Sequence, residues 1–305
     1  MNHNKKTITV GIPAFNEEAN IGYLLEEICK QRFDAYVLEK IIVSSDASTD
    51  NTRTIVESFG DPRIVFMDNK TRQGQSARQN QIIDMTESDV LVLLNADITL
   101  DDDMFIEKLV EPILAGNADL TSSNMLMVEP TSRFEHIIAA GFRLKNSIFE
   151  RYNDGLNMYT CHGAARAFSR KLYSRFRFGE SVGEDGYSYL YCKKNGYRFA
   201  YVGKAVARIK LPDNIRDHQK QSIRFFKSNQ AWYAEFGRPF VDAELEIPCS
   251  IGIRAVAGSF FVEPVSTVLY LGVLCATKIK ALFVRMDRSI WEISHSSKLL
   301  RKRVS

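Results

Sequence analysis

Features that mark several common protein classes are scarce in this chain. Its 305 residues include only five cysteines, Cys29, Cys161, Cys192, Cys249 and Cys275. They are odd in number, scattered and never in a CxxC pair, which argues against a disulfide framework or zinc site and for a reducing compartment. A net formal charge of only +3 is too small to imply nucleic-acid binding. Met1-Asn2-His3-Asn4-Lys5-Lys6 leads straight into a strand pattern, without a long apolar core or cleavage site. No secretory signal is therefore expected, and the folded part is expected in the cytoplasm. Neither GxGxxG nor GxxxxGK[ST] occurs, so neither a dinucleotide fingerprint nor a P-loop is supported. The remaining composition, 45% hydrophobic and 25% charged, is that of a soluble globular protein with ample material for a core.

What is present is an alternation of strands and helices. Thr7–Ile12 is a β-branched run ending at Pro13. Asn16 is expected to cap a helix with Glu17 and Glu18 in its first turn and Ile21, Leu24, Leu25 and Ile28 on one face. A strand at Lys40–Ser44 precedes a helix with Ile55, Val56 and Phe59 inward. Another at Arg63–Met67 leads to Arg72-Gln73-Gly74-Gln75-Ser76-Ala77 and a helix ending near Met85. The fourth strand, Leu91-Val92-Leu93-Leu94, reads as buried on both faces. Strand and helix alternating four times with short loops predict an α/β fold with a doubly wound, mostly parallel sheet.

The fourth strand stops at Asn95-Ala96-Asp97. Residues two apart on an extended backbone point the same way, so Asn95 and Asp97 face out together from the carboxyl end, where open α/β sheets bind ligands. With Asp101-Asp102-Asp103 beyond, this suggests a hard cation holding a phosphate. The plainer alternative is that these acids cap a turn and suit a helix N-terminus. The other exit loops carry groups suited to a nucleotide. Phe15 offers a ring to a base, Asp46 and Asp50 offer acceptors to a base imide or ribose hydroxyls, and Arg72 answers phosphate charge. Here too the alternative is turn and helix capping.

Ile12-Pro13-Ala14-Phe15-Asn16-Glu17-Glu18, Ser45-Asp46-Ala47-Ser48-Thr49-Asp50, Gly74 to Asn80 and Asn95-Ala96-Asp97, in that order and spacing, resemble the signature of family-2 glycosyltransferases of the GT-A fold. The resemblance implies a nucleotide-sugar donor site comprising Pro13, Ala14, Phe15, Glu17, Asp46, Asp50, Arg72, Gly74, Asn95 and Ala96, with Asp46 toward a uracil. It also implies Asp97 as the residue holding Mn²⁺ or Mg²⁺ on the diphosphate. Asn95 replaces the first Asp of the family's DxD pattern, which lowers the site's charge by one.

Beyond Asp119 the alternation breaks down, as expected where an acceptor side begins. Phe134–Glu150 reads as a helix. In Cys161-His162-Gly163-Ala164-Ala165 the glycine permits close backbone approach to a ligand, whereas a lone His162 reads as a packed core residue. Glu184 and Asp185 open a helix carrying Tyr187, Leu190 and Tyr191 that stops at Asn195-Gly196. Acids there suit a helix dipole. They also resemble the family's ED motif, which implies Asp185 as general base. Gln221, Arg224 and Phe225 resemble the QxxRW motif of polysaccharide synthases with Phe for Trp, implying a pyrophosphate contact and a ring under the acceptor sugar. A solvated basic helix is the alternative.

Ala255–Thr277 is the most apolar stretch, but Glu263-Pro264 breaks it. A mid-membrane Glu costs on the order of 2–3 kcal/mol by insertion scales. Lys278, Lys280, Arg285, Arg288, Lys298, Arg301, Lys302 and Arg303 follow, against only Asp287 and Glu292. A broken, re-entrant hairpin or an interfacial helix pair with its basic tail on anionic lipid fits this better than a single crossing. A buried helix pair closing the domain is the alternative.

The expectation is thus a GT-A domain at 1–249, with a donor half at 1–118 and an acceptor half at 119–249, followed by membrane-associating helices at 250–305. It would be an inverting, metal-dependent glycosyltransferase at the cytoplasmic face of the inner membrane. It would use a nucleotide-sugar, a UDP-sugar by resemblance, and a lipid-linked or surface-polysaccharide acceptor. The rivals are a catalytically weak GT-A scaffold and a sugar nucleotidyltransferase.

Overall fold

The computed structural model describes residues 5–179, 183–227 and 229–284. The basic residues from Arg285 onward, and Glu180 to Val182 ahead of the Glu184–Asp185 pair, lie outside the described residues. The first half runs β1 (Lys6–Ala14), α1 (Ile21–Cys29), β2 (Tyr36–Asp46), α2 (Thr52–Glu57), β3 (Ile64–Asn69), α3 (Gln75–Asp84), β4 (Val90–Leu94), β5 (Ile98–Leu100), α4 (Phe105–Leu114) and β6 (Leu120–Met127). The second runs α5 (Arg133–Arg151), β7 (Ala165–Ser169), α6 (Arg170–Tyr173), α7 (Glu184–Lys194), β8 (Phe199–Ile209), α8 (Ile215–Lys227), α9 (Asn229–Phe236), α10 (Arg238–Leu245), α11 (Cys249–Val262) and α12 (Pro264–Phe283).

One eight-stranded sheet has the order β3-β2-β1-β4-β7-β6-β8-β5. The first four strands are parallel, and β7 then runs antiparallel to both β4 and β6. Strand alternation divides the core. Ile41, Val43, Val90, Val92 and Leu94 face one cluster with α1 and α4, while Ile42, Leu91 and Leu93 face another with α3, α7 and α9. The chain leaves β1 for β2 on one side and returns as β4 on the other, so the topological switch lies between β1 and β4. The carboxyl ends of these strands, where such sheets take ligands, are Ala14, Asp46 and Leu94.

Some local expectations differ from the structure. Asn16 does not cap the first helix, because α1 starts at Ile21 with Asn20 before it. Asn16 sits in the left-handed region (φ 52°), and its Oδ1 accepts from Thr49 N at 2.8 Å. The acids Asp101, Asp102 and Asp103 are drawn to three separate cations, Arg208, Lys108 and Arg32. Of the three, Asp102 also accepts from Met104 N at 2.9 Å, and the first-turn acid of α4 is Glu107.

The C-terminal helices pack on α5. Glu263, where the apolar stretch breaks, makes a two-pronged ion pair with Arg143 of α5, Nε to Oε1 at 2.8 Å and Nη2 to Oε2 at 2.5 Å. The Tyr270 ring lies directly on Gly141 of α5, where an added Cβ would meet ring atoms at 2.0–2.2 Å. Thr267 and Tyr270 are buried, and Lys280 donates to Gln219 of α8 at 2.8 Å. The opposite face is bare: Phe261 is 91% exposed, Val262 82%, Leu282 80% and Phe283 82%. Two helical segments, Arg238–Val262 and Pro264–Phe283, are long and apolar enough to cross a membrane by length and composition.

Gly141→Ala should therefore pry α12 off α5. Overpacking of this kind costs about 1–3 kcal/mol. Urea unfolding should show that loss, and limited proteolysis should cut first in α12; an unchanged midpoint would show that Tyr270 moves aside freely.

Candidate active site

The site forms where β4 ends. Asn95 N donates to Ala164 O at 2.9 Å, which seats the turn after β4 against the segment leading into β7. Gln75, the first residue of α3, donates through Nε2 to Asn95 Oδ1 at 2.9 Å and to Glu184 Oε1 at 3.2 Å. Gly74 before it holds φ 90°, a conformation that favours glycine. One amide thus ties β4, α3 and α7 together. Sequence reasoning did not single out Gln75, although it directly follows Gly74.

Glu184 is buried in the first turn of α7. Its carboxyl is pushed upward by burial first and by neighbouring Asp185 second, against the pull of Arg166 and Arg224. Arg224, on α8, is itself pushed down by burial, while Glu184, Asp185 and Asp97 oppose that shift. Those three carboxylates and Arg224 share one electrostatic neighbourhood, although they lie as much as 127 residues apart in sequence. Gly163 faces the pair: a Cβ there would stand 3.2 Å from Glu184 Oε1 and 3.9 Å from Asp185 Oδ2. Phe225 is 43% exposed, with its ring 6.5 Å from Tyr159, which stacks on Phe149 at 4.6 Å. Gln221 lies on the same helix, part-buried.

At the other end, the Arg72 guanidinium lies over the Phe15 ring at 3.9 Å. Asp46 is buried and heavily engaged. Its Oδ1 accepts from Gln73 N and Arg78 Nε, each at 2.8 Å, and its Oδ2 accepts from Gly74 N at 2.9 Å. Arg78 Nη2 also donates to Thr71 O at 2.6 Å. Asp46 thereby shapes the loop between β3 and α3. Buried Arg78 was not singled out, although it lies inside the Gly74-to-Asn80 segment that carries part of the resemblance. Asp50 accepts from Glu18 N and from Thr52 N and Oγ1, so it ties the start of α2 to the loop after β1. Glu17 is buried, with Oε2 accepting from Asn20 Nδ2 at 3.2 Å. Pro13, Ala14 and Ala96 are buried against this edge.

Among the described residues, no group of three or more His, Cys, Asp or Glu side chains stands ready to cage a metal. Mg²⁺ and its like are commonly held by one or two carboxylates together with substrate phosphates rather than by an all-protein cage. Asp97, beside Asn95 and facing Arg224, fits that sparse mode.

His162, adjoining Gly163, donates its backbone N–H to Ser122 Oγ at 2.9 Å and feels Asp185. His218 is buried on α8 beside Phe134 and Ser222. Burial pushes both imidazoles down to about 4 from the ordinary 6.5. The unfolded chain therefore binds protons that the folded chain refuses. Stability should be flat above about pH 6.5 and fall toward about pH 4, by up to roughly 1.4 kcal/mol per pH unit for each histidine. Urea midpoints measured across that window should decline, and His218→Gln should flatten the decline. A constant midpoint from pH 7 to 5 would rule out buried neutral histidines.

The profile of the family described as Glycosyl transferase family 2 matches residues 9–177. An N-acetylglucosaminyltransferase of Azorhizobium caulinodans is 25% identical over 245 residues, covering 72% of this chain and 59% of that protein. A 4,4'-diaponeurosporenoate glycosyltransferase of Staphylococcus aureus is 30% identical over 165 residues, covering 51% of this chain and 42% of that one. The chain thus spans about half the length of the curated relatives it matches. Among solved structures, the mannosyltransferase PcManGT from Pyrobaculum calidifontis, in complex with GDP-Man and Mn²⁺, superposes with a TM-score of 0.60. The match has 17% identity and covers 93% of this chain and 77% of that one.

Proposed function

The chain belongs to glycosyl transferase family 2, and on that premise we propose that it is an inverting, metal-dependent transferase. It moves a sugar from a nucleotide-sugar, a UDP-sugar in our reading, to a lipid-linked or surface-polysaccharide acceptor. One observation carries the proposal: Asp97, Glu184, Asp185 and Arg224 gather at the carboxyl edge of the sheet, beside Gly163.

In this reading residues 1–118 form the donor half. Phe15 and Ala14 line the base pocket, with Pro13, Glu17, Asp46, Asp50 and Gly74 shaping its loops, and Arg72 shifts from the Phe15 ring to the phosphates. Asp97 would hold Mn²⁺ or Mg²⁺ with the donor's diphosphate, and the ion when bound offsets charge on the departing group. Residues 119–249 form the acceptor half. The Asp185 carboxylate takes the proton of the acceptor hydroxyl as its oxygen attacks the anomeric carbon. The bond from that carbon to the phosphate oxygen breaks, and its electron pair leaves with the diphosphate. Arg224 supplies positive charge toward that leaving group. Gly163 leaves room for the acceptor, and Phe225 offers it an aromatic face. Glu184, desolvated and held by Gln75, braces the base.

Residues 250–305 form the membrane-associating part, working at the cytoplasmic face of the inner membrane. The Glu263–Arg143 pair and the Tyr270–Gly141 contact favour helices lying along the surface, with Phe261, Val262, Leu282 and Phe283 dipping into the leaflet.

Purified protein should gain thermal stability from UDP only with Mn²⁺, by roughly 2.7 kcal/mol at a hundredfold excess over Kd. Asp97→Ala should abolish the gain. Asp185→Asn should keep it while sugar-transfer turnover falls by about 10²–10⁴. A gain with GDP alone would change the donor class, and no gain with any nucleotide would sink the proposal. In a separate assay, wild type should float with phosphatidylserine vesicles, and Phe261→Glu with Leu282→Glu should stay in the aqueous fraction. Equal flotation of the double variant would refute the surface-lying helices.

A further inference from the structure

Arg166 is fully buried on β7, in register with Leu93 of β4 and Ser122 of β6. It shares a strand face with Phe168 and reaches into the aromatic cluster, its guanidinium 5.4 Å from the Phe178 ring centre and 5.9 Å from that of Phe168. Among the described residues no carboxylate lies within ion-pair distance of it, and its Nε and Nη2 have no hydrogen-bond partner. Nη1 makes both of its contacts. It donates to the backbone carbonyl of Glu184 at 2.8 Å and to Ser188 Oγ at 2.8 Å. Ser188 Oγ in turn donates to the carbonyl of Asp185 at 2.8 Å. A single nitrogen thus holds, directly or through one hydroxyl, the carbonyls of both residues in the carboxylate pair.

Among the described residues, the front of that turn has one side-chain acceptor, Asp185 Oδ1, which accepts from Gly186 N at 2.8 Å. Gly183, the residue before α7, is left-handed (φ 90°, ψ 56°) and supplies no side-chain cap. Behind it, Gly186 is pressed on Trp232, where a Cβ would stand 2.5 Å from the indole. The turn is therefore fixed from below by Arg166 and from the side by Trp232.

A buried guanidinium without a carboxylate is an expensive way to fill a core. Apolar residues of similar volume do as well or better for stability. Its charge acts on Glu184, favouring the ionised form there against burial. We propose that Arg166 is a positioning residue for glycosyl transfer: it fixes the first turn of α7 and sets the Glu184–Asp185 pair at the end of β4. This rests on the transferase reading above for its catalytic meaning, but the structural part stands alone.

The test compares full-length wild type with Arg166→Met and Arg166→Lys in three measurements. These are melting temperature, hydrogen exchange of the Tyr187, Ser188 and Tyr189 amides, and UDP release from UDP-sugars with Mn²⁺. Arg166→Met should melt at or above the wild-type temperature while those amides exchange at least tenfold faster and amides of α3 do not change. Turnover should fall at least tenfold with the donor KM within twofold, and Arg166→Lys should recover part of both effects. Unchanged exchange at α7 would overturn the proposal. So would a lowered melting temperature with faster exchange in α3 and α7 alike, which marks an ordinary core residue. Absence of UDP release in wild type counts against the transferase reading, and the exchange comparison then decides Arg166 by itself.

Discussion

Burial of β4 on both faces is the constraint from which the site follows. Val90 to Leu94 are all buried, with alternate residues feeding opposite cores. A strand so enclosed has no place for polar side chains until it leaves the sheet. Asn95 and Asp97 therefore emerge together at the carboxyl edge, and Asn95 N pins that exit to Ala164 of the segment entering β7. Because β7 runs antiparallel to β4, the start of β7 lies at the same edge, which brings Gly163 beside the end of β4. The reversal of direction at β7 is thus what brings the second half of the chain to the carboxyl edge of the first.

The electrostatics of that edge are unbalanced by design of the fold. Buried Glu184 and part-buried Asp97, Asp185 and Arg224 share one electrostatic neighbourhood, with a fully buried cation, Arg166, beneath α7. Such clustering raises the energy of the empty chain, since like charges repel and burial penalises each. A cation and a diphosphate entering together add charges of both signs, which suits a site where acids and Arg224 already face one another. Replacement of the usual first acid by Asn95 fits the same balance: its Oδ1 serves Gln75 as a neutral acceptor, where a fourth carboxylate would add repulsion to Glu184.

Much of the GT-A architecture was legible because it is written in local patterns. Continuous apolar runs marked the parallel strands, and Ile21, Leu24, Leu25 and Ile28 marked α1 by period alone. Side-chain partners were less legible, because they depend on which loops meet. Asp46 was read as offering acceptors to a base, yet three donors from the loop between β3 and α3 and from Arg78 already use much of that capacity. Asn16 was read as a helix cap, but the loop after β2 claims its side chain. The acids at 101–103 looked like one cluster in sequence and are three separate ion pairs in space. Gln75 and Arg78 lay inside the Gly74-to-Asn80 segment without being singled out, and Arg166 carried no motif. Each acquires its role only when strands distant in sequence come into register.

The break at Glu263-Pro264 is the point where sequence and packing speak to the same question from different sides. Composition alone permits a membrane crossing by either flanking helix. Packing restricts that freedom, because a helix leaving for the far side of a bilayer cannot also stay tied to the catalytic domain along its length. α12 is tied by the Glu263–Arg143 pair before its first residue, by Tyr270 on Gly141 in its middle and by Lys280 to Gln219 near its end. Its bare side runs the same length through Val265, Val268, Leu269, Ile279 and Leu282. Ties on one flank and exposed apolar residues on the other give α12 the two-sided character on which the surface-lying proposal rests. Since Gln219 and Arg224 share α8, the Lys280–Gln219 hydrogen bond also links α12 to the helix that carries Arg224.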